Sequence, residues 1–209
     1  MTDKSAMNRP LALIPFALIA AFVAVGALWH LGDLRAHNGV ESVPTGETVT
    51  LGGPFALTDQ NGIVRTEKDY RGKYTLVFFG YTYCPDVCPT TLAVMSAALD
   101  KLGAQAGKIV PLFITIDPKR DTPEKLKSYL ASFGSRFVGL TGKDGDIAAV
   151  AKEYRVYYRE HAAENGNEYT VDHSGVVYLM DPGGAFVANY SLETSPDAMA
   201  ADLAKKTLR

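Results

Sequence analysis

Apolar positions along the chain form three kinds of run, and each kind predicts a different element. From Leu11 to Leu31 no residue is charged and almost all are apolar. A helix needs about 20 such residues to cross a bilayer, so this run is long enough to span one. Tyr74–Gly80 and Ile109–Ile116 are shorter, continuous and rich in β-branched and aromatic residues. That pattern predicts strands buried on both faces. Elsewhere apolar residues recur every three or four positions, the signature of a helix with one buried side. Leu92, Met95, Leu99 and Leu102 predict a helix from Cys88 to Leu102, and Leu126, Leu130 and Phe133 predict a second. Ile147, Val150, Ala151 and Tyr154 mark a third, and Met199, Leu203 and Leu208 a last.

Polar punctuation sets the boundaries. Pro89 suits a first helical turn, and in Asp121-Thr-Pro-Glu either Asp121 or Thr122 can cap a helix that has Pro123 just inside. Ser195-Pro196-Asp197 opens the last helix in the same way. Asn61-Gly62 is a hairpin turn signal. Phe137–Thr141 reads as a short strand, and the charged stretch from Arg159 to Gly166 as an exposed loop or hairpin. Val171–Met180 reads as one strand, interrupted near its start by Asp172-His173-Ser174-Gly175. The turn Asp181-Pro-Gly-Gly then returns Ala185–Tyr190 as an antiparallel partner. Strands alternating with helices, followed by a hairpin and a last helix, predict an α/β fold with a mixed central sheet. Sites in such sheets form beyond the carboxyl ends of strands. Two cysteines lie there, after the first buried strand and at the start of a helix, which resembles the thioredoxin-like arrangement.

The same pattern divides the chain into a polar start at 1–10, a transmembrane anchor at 11–31, a tether at 32–47 and a folded domain at 48–209. The apolar core of the anchor is longer than the 7–15 residues of a signal peptide, and no clear Ala-x-Ala cleavage site follows it. Trp29 lies near its far end, at interfacial depth. Lys4 and Arg9 precede the span, with Asp3; Arg35 follows it, with Asp33 and Glu41. The basic excess on the N-terminal side predicts a cytoplasmic N-terminus and an external domain. In a bacterium this is the inner membrane with the domain in the periplasm; the segment ahead of the span lacks the Arg- and Ser-rich character of a mitochondrial transit peptide. A formal net charge of −2 offers no basic footprint for nucleic acid.

The candidate chemistry rests on two cysteines, Cys84 and Cys88, in Tyr-Cys-Pro-Asp-Val-Cys-Pro. A disulfide across so short a loop would stabilise the fold little, because the entropic gain grows with loop length. Reactivity or metal binding must explain the pair. Residues four apart share a side when the segment coils as a helix, and a helix N-terminus favours thiolate. Redox enzymes of this architecture carry Cys-x-x-Cys; the wider spacing here suits two sulfurs meeting on one metal ion, with disulfide exchange still open. Of the histidines, His30 and His37 fall in the anchor and tether, and His161 in the charged stretch. His173 lies in a polar insertion beside an apolar strand, where a histidine satisfied at a strand end is the ordinary reading.

Four blocks together resemble the SCO/SenC/PrrC family over roughly Gly52 to the C-terminus. They are Gly80-Tyr-Thr-Tyr-Cys-Pro-Asp-Val-Cys-Pro, Asp117-Pro-Lys-Arg-Asp-Thr-Pro, Val171-Asp-His-Ser and Tyr178-Leu-Met-Asp-Pro-Gly-Gly. The resemblance implies a membrane-tethered copper chaperone in which Cys84, Cys88 and His173 bind one copper ion. It implies delivery to the binuclear copper centre of cytochrome c oxidase subunit II, directly or through another periplasmic copper chaperone. Two thiolates and an imidazole suit Cu(I), and Cu(II) when oxygen ligands join. Asp86 and Asp172 are candidates for outer support, holding the imidazole or tuning the thiolates. Arg120 and Asp121 match a family motif near the site, although helix capping alone accounts for Asp121. Many family members have histidine before the first cysteine; here it is Tyr83. Rival readings of the same thiols are a thiol–disulfide oxidoreductase acting on that subunit's cysteines, a redox or copper sensor, and a peroxidase, for which nothing singles out a peroxidatic cysteine.

Overall fold

The computed structural model describes residues 50–162 and 169–207. In chain order the strands are β1 (Ala56–Asp59), β2 (Val64–Thr66), β3 (Tyr74–Gly80), β4 (Ile109–Thr115), β5 (Val138–Thr141), β6 (Tyr158–Ala162), β7 (Tyr169–His173), β8 (Val177–Met180) and β9 (Phe186–Tyr190). The helices are α1 (Val87–Leu102), α2 (Pro123–Leu130), α3 (Asp144–Glu153) and α4 (Pro196–Thr207). Seven of these strands form one mixed sheet in the order β2-β1-β5-β4-β3-β8-β9. The strands β3, β4 and β5 run parallel, while β8 lies antiparallel to β3 and β9 to β8. This is the α/β, thioredoxin-like sheet that the sequence pattern predicts.

The strand β3 lies inside the sheet between β4 and β8, and all seven of its residues are buried. Leu76, Val77, Phe78 and Phe79 expose no surface, and burying each such side chain stabilises by ~1.5–3 kcal/mol. Strand alternation turns Phe78 toward Phe113 and His173, and Phe79 toward the ring of Tyr154 on the opposite face. The helix α1 packs against α4, burying Leu92, Met95 and Leu99 from the first and Met199 and Leu203 from the second. At the β1–β2 hairpin Gly62 takes φ 80°, which a residue with a side chain rarely adopts.

Two expectations are corrected. Val171–Met180 is not one interrupted strand: the chain leaves a two-stranded β6–β7 hairpin at His173 and enters the main sheet only at Val177. Ser174-Gly175-Val176 makes the passage between them. The stretch begun by Arg159 accordingly contains a real strand, β6, paired to β7 with Tyr158 opposite His173. Second, Asp121 does not cap α2. Thr122 does, its hydroxyl accepting from the Lys125 amide, with Pro123 in the first turn.

Among the described residues no helix is long and apolar enough to cross a membrane. The anchor expected over 11–31, the tether over 32–47, His30, His37 and Leu208 lie outside the described residues.

Candidate metal centre

The loop leaving β3 turns back at once, with the Cys84 amide donating to the Tyr81 carbonyl. It delivers Cys84 ahead of α1 and Cys88 into the first turn of that helix. Asp86 stands at the helix N-cap but offers no side-chain cap. The sulfur of Cys84 takes that part, accepting from the Cys88 amide at 3.4 Å. The helix N-terminus thus points its free amides and its positive dipole end at this sulfur. Cys88 lies buried beneath, and Cys84 is half-buried.

Gly80 makes room for this arrangement. A Cβ there would sit 2.7 Å from the Cys88 sulfur and 2.9 Å from the Phe113 ring.

The third group arrives from the other sheet. His173 ends β7, and its Nε2 lies 3.4 Å from the Cys88 sulfur. Its Nδ1 faces the carbonyl oxygen of Ser174 at 3.2 Å. A carbonyl only accepts, so Nδ1 donates to it and Nε2 is the ring nitrogen turned toward the sulfurs. The rings of Phe78 and Tyr81 hold the imidazole edge-on, each 6.0 Å between centroids. One ligand atom from each of Cys84, Cys88 and His173 lies within 4.8 Å of the others. A cleft of about 360 Å³, lined by Tyr81, Pro85, Val87, Val171 and Leu192, opens onto Cys84 and His173.

The two thiols are electrically unequal. The Cys88 thiol donates to the Cys84 sulfur, and this bond, with a hydrogen bond from His173 and the amides of Cys88 and Asp86 adding to it against burial, lowers the Cys84 pKa to about 3. The bond to Cys84, then burial, pushes Cys88 far up. One proton is therefore kept on Cys88 while Cys84 stays thiolate across the ordinary pH range. Alkylation of Cys84 by iodoacetamide is then expected to proceed at a nearly constant rate from about pH 5 to 8, whereas an unperturbed thiol slows about tenfold per pH unit below its pKa of roughly 8.5. A tenfold fall per unit over that range, followed by peptide mapping of the labelled cysteine, would contradict the assignment.

The outer candidates fare differently. Asp172 does not hold the His173 imidazole: its neighbour position on a strand puts it on the opposite face, where its carboxylate meets the exposed His161 at 2.9 Å. The Asp86 carboxylate accepts from the Thr90 hydroxyl at 3.3 Å and is exposed; this residue reaches the thiolate only through its amide. Tyr83 is exposed, its ring lying near Arg120 and Lys125.

The residues that frame the centre came from elsewhere. Asp121 is fully buried and accepts from the Thr82 amide at 3.0 Å, the Thr82 hydroxyl at 2.6 Å and the Thr115 hydroxyl at 2.7 Å. It therefore ties the cysteine loop to the end of β4. Asp117 and Arg120 form an ion pair beside it and both bind Tyr169. The signal for these residues was the charged block Asp117-Pro-Lys-Arg-Asp set directly against a buried strand, since charges so placed must find partners.

Comparison with known proteins agrees with this architecture. The copper-bound structure of ScoI from Bradyrhizobium japonicum is 48% identical to the chain, covering 76% of it and 99% of that protein at a TM-score of 0.70. A SCO2-like protein of Rickettsia conorii is 39% identical over 187 residues, 87% of this chain and 91% of that one. The mitochondrial SCO1 homolog 1 of Arabidopsis thaliana is 38% identical over 179 residues, 85% of this chain, which spans about half (53%) of that relative. The SCO1/SenC family pattern matches residues 43–208. With that match running through the cysteine loop, the charged block and the histidine hairpin alike, the chain belongs to the SCO1/SenC family.

Proposed function

We propose that this protein is a membrane-tethered copper chaperone: Cys84, Cys88 and His173 bind one copper ion and help metallate the binuclear copper centre of cytochrome c oxidase subunit II. One observation carries the reading, the approach of three soft ligand atoms to within 4.8 Å. Two sulfurs and an imidazole whose Nε2 faces them make a donor set suited to Cu(I). Structural zinc would ask for a fourth protein ligand. The copper found in the relative from Bradyrhizobium japonicum supports the choice of cargo.

The layering of the ligands suits a carrier. Cys88 is buried, whereas Cys84 and His173 face the cleft. An incoming ligand from a partner protein meets the outer two first, so copper leaves by stepwise exchange with Cys88 released last. Another periplasmic copper chaperone is the matching source or intermediary. On this reading residues 1–10 lie in the cytoplasm, 11–31 cross the bacterial inner membrane, 32–47 form the tether and 48–209 the periplasmic domain. The uncharged run from Leu11 to Leu31 supports that placement.

A second reading, a thiol–disulfide oxidoreductase, draws on the unequal thiols. The Cys84 thiolate would attack a partner's disulfide to form a mixed disulfide. Cys88, losing its proton, would then close the Cys84–Cys88 bond and release the partner as a dithiol, two electrons having passed to it. One experiment separates the two. The full-length chain, loaded with Cu(I), is mixed with the copper-free, pre-reduced domain of oxidase subunit II, and copper is followed in both proteins. Transfer to the acceptor is expected. No transfer, together with repeated reduction of the oxidised acceptor through Cys84 and Cys88, would replace the chaperone by the reductase.

A further inference from the structure

The hairpin that carries His173 is not part of the main sheet: β6 and β7 pair only with each other among the described residues. Something else must fix the imidazole against the cysteines. Three inward residues share one face of β7: Tyr169, Val171 and His173, spaced two apart. Each is held differently. Val171 is buried, and its amide donates to the Tyr81 hydroxyl at 3.3 Å. Tyr169 is gripped by the β4–α2 loop: its hydroxyl donates to Asp117 Oδ1 at 2.6 Å, and Arg120 Nη1 donates to its carbonyl at 2.9 Å. The guanidinium also lies 3.6 Å from the centre of the Tyr169 ring, and its Nε is paired with the fully buried Asp117. A charged pair at such a site fixes orientation as well as position, because the planar guanidinium spends its donors in set directions.

We propose that Asp117, Arg120 and Tyr169 are positioning residues for His173, a clasp that decides whether the centre presents three ligands or two. The proposal rests on the reading of His173 as a copper ligand. Four steps of extended strand lead from Tyr169 to His173, roughly 13 Å at about 3.3 Å per step. The β6–β7 ladder is continuous from Tyr169 to His173, so the two ends of β7 keep a fixed spacing and a displacement of Tyr169 carries to the imidazole. The same loop holds the cysteine side through Asp121 and Thr82. It therefore sets the histidine and the dithiol in register from a single anchor.

The test uses the full-length chain. Arg120→Lys keeps a cation beside buried Asp117 but loses the donor to the Tyr169 carbonyl and the flat contact with its ring. Tyr169→Phe keeps the ring and loses only the hydroxyl bond, and supplies the same comparison should the first variant fail to fold. Cu(I) affinity is measured for each variant with His173 present and again in a His173→Ala background. A clasp acting through His173 is expected to weaken binding about tenfold in the first background, the scale typical of a lost outer partner, and less than about twofold in the second. Equal losses in both backgrounds would overturn it, since a general loosening does not depend on the imidazole. Amide hydrogen exchange of the copper-free protein gives a separate readout: faster exchange at Val171 and His173 with β3 unchanged is expected, and unchanged exchange at both overturns the clasp. Should His173→Ala itself leave copper affinity unaltered, the ligand assignment falls, and exchange alone then decides the clasp.

Discussion

Replacing His173 by alanine is expected to lower Cu(I) affinity by more than the roughly 10–100-fold typical of losing an outer support, while leaving the fold intact. The imidazole is one of three soft ligand atoms, and its Nε2 meets the Cys88 sulfur. Its removal leaves a two-sulfur site whose remaining position opens to the cleft and to water. The cost to stability is small for a physical reason. His173 is only partly buried, at the end of the separate two-stranded hairpin, so water enters the space and no closed cavity forms. Competition against a chelating Cu(I) indicator measures the affinity, and thermal unfolding measures the fold. A variant that binds copper as the parent does would remove His173 from the centre.

Asp121→Ala is expected to be the most destabilising single change near the site, by about 3 kcal/mol. Its carboxylate satisfies three donors in a fully buried position, and each buried donor left without a partner costs about 1–3 kcal/mol. The loss falls on Thr82, two residues before Cys84, so the cysteine loop loosens along with the protein. Asp121→Asn keeps the volume and part of the bonding, and is expected to cost less. Burial, opposed by the bonds from Thr115 and Thr82, holds the Asp121 carboxyl above its usual pKa. Its contribution is therefore fully present below the unfolded value of 3.8 and declines as pH rises through the higher folded value. Urea unfolding across that range should show a pH dependence in the parent that Asp121→Asn lacks. A variant as stable as the parent at every pH would mean that the carboxylate does not carry the loop.

The parts of this molecule legible in its sequence are those where one physical effect dominates. The strands β3 and β4 stand out because both faces are buried and nearly every position is apolar. The closing hairpin and last helix follow from unambiguous turn residues. The hairpin bearing His173 was harder to read. Residues 159–161, Arg-Glu-His, leave β6 exposed beyond its first residue, so no alternating buried face marks it. The polar residues Asp172-His173-Ser174-Gly175 read as an interruption within one strand, which hid the passage between two sheets. Asp121 and Thr122 are both good caps, and only three-dimensional packing reveals that the first is committed elsewhere. Asp172 misled through its closeness in sequence: on a strand the next residue faces away, so a neighbour of His173 is the wrong place to seek its support. That support comes from Tyr169, Arg120 and Asp117, which periodicity cannot connect across their separations in the chain. His173 itself was distinguished by the resemblance of Val171-Asp-His-Ser to the family pattern, since one histidine beside an apolar strand carries no such information alone.

The most direct test of the central claim is X-ray absorption at the copper edge of the full-length chain loaded with Cu(I). The account predicts one copper per chain with two sulfur neighbours and one nitrogen, the nitrogen lost in His173→Ala and the sulfurs in a Cys84→Ser/Cys88→Ser variant. Copper bound without sulfur, or a nitrogen neighbour that survives His173→Ala, would contradict it.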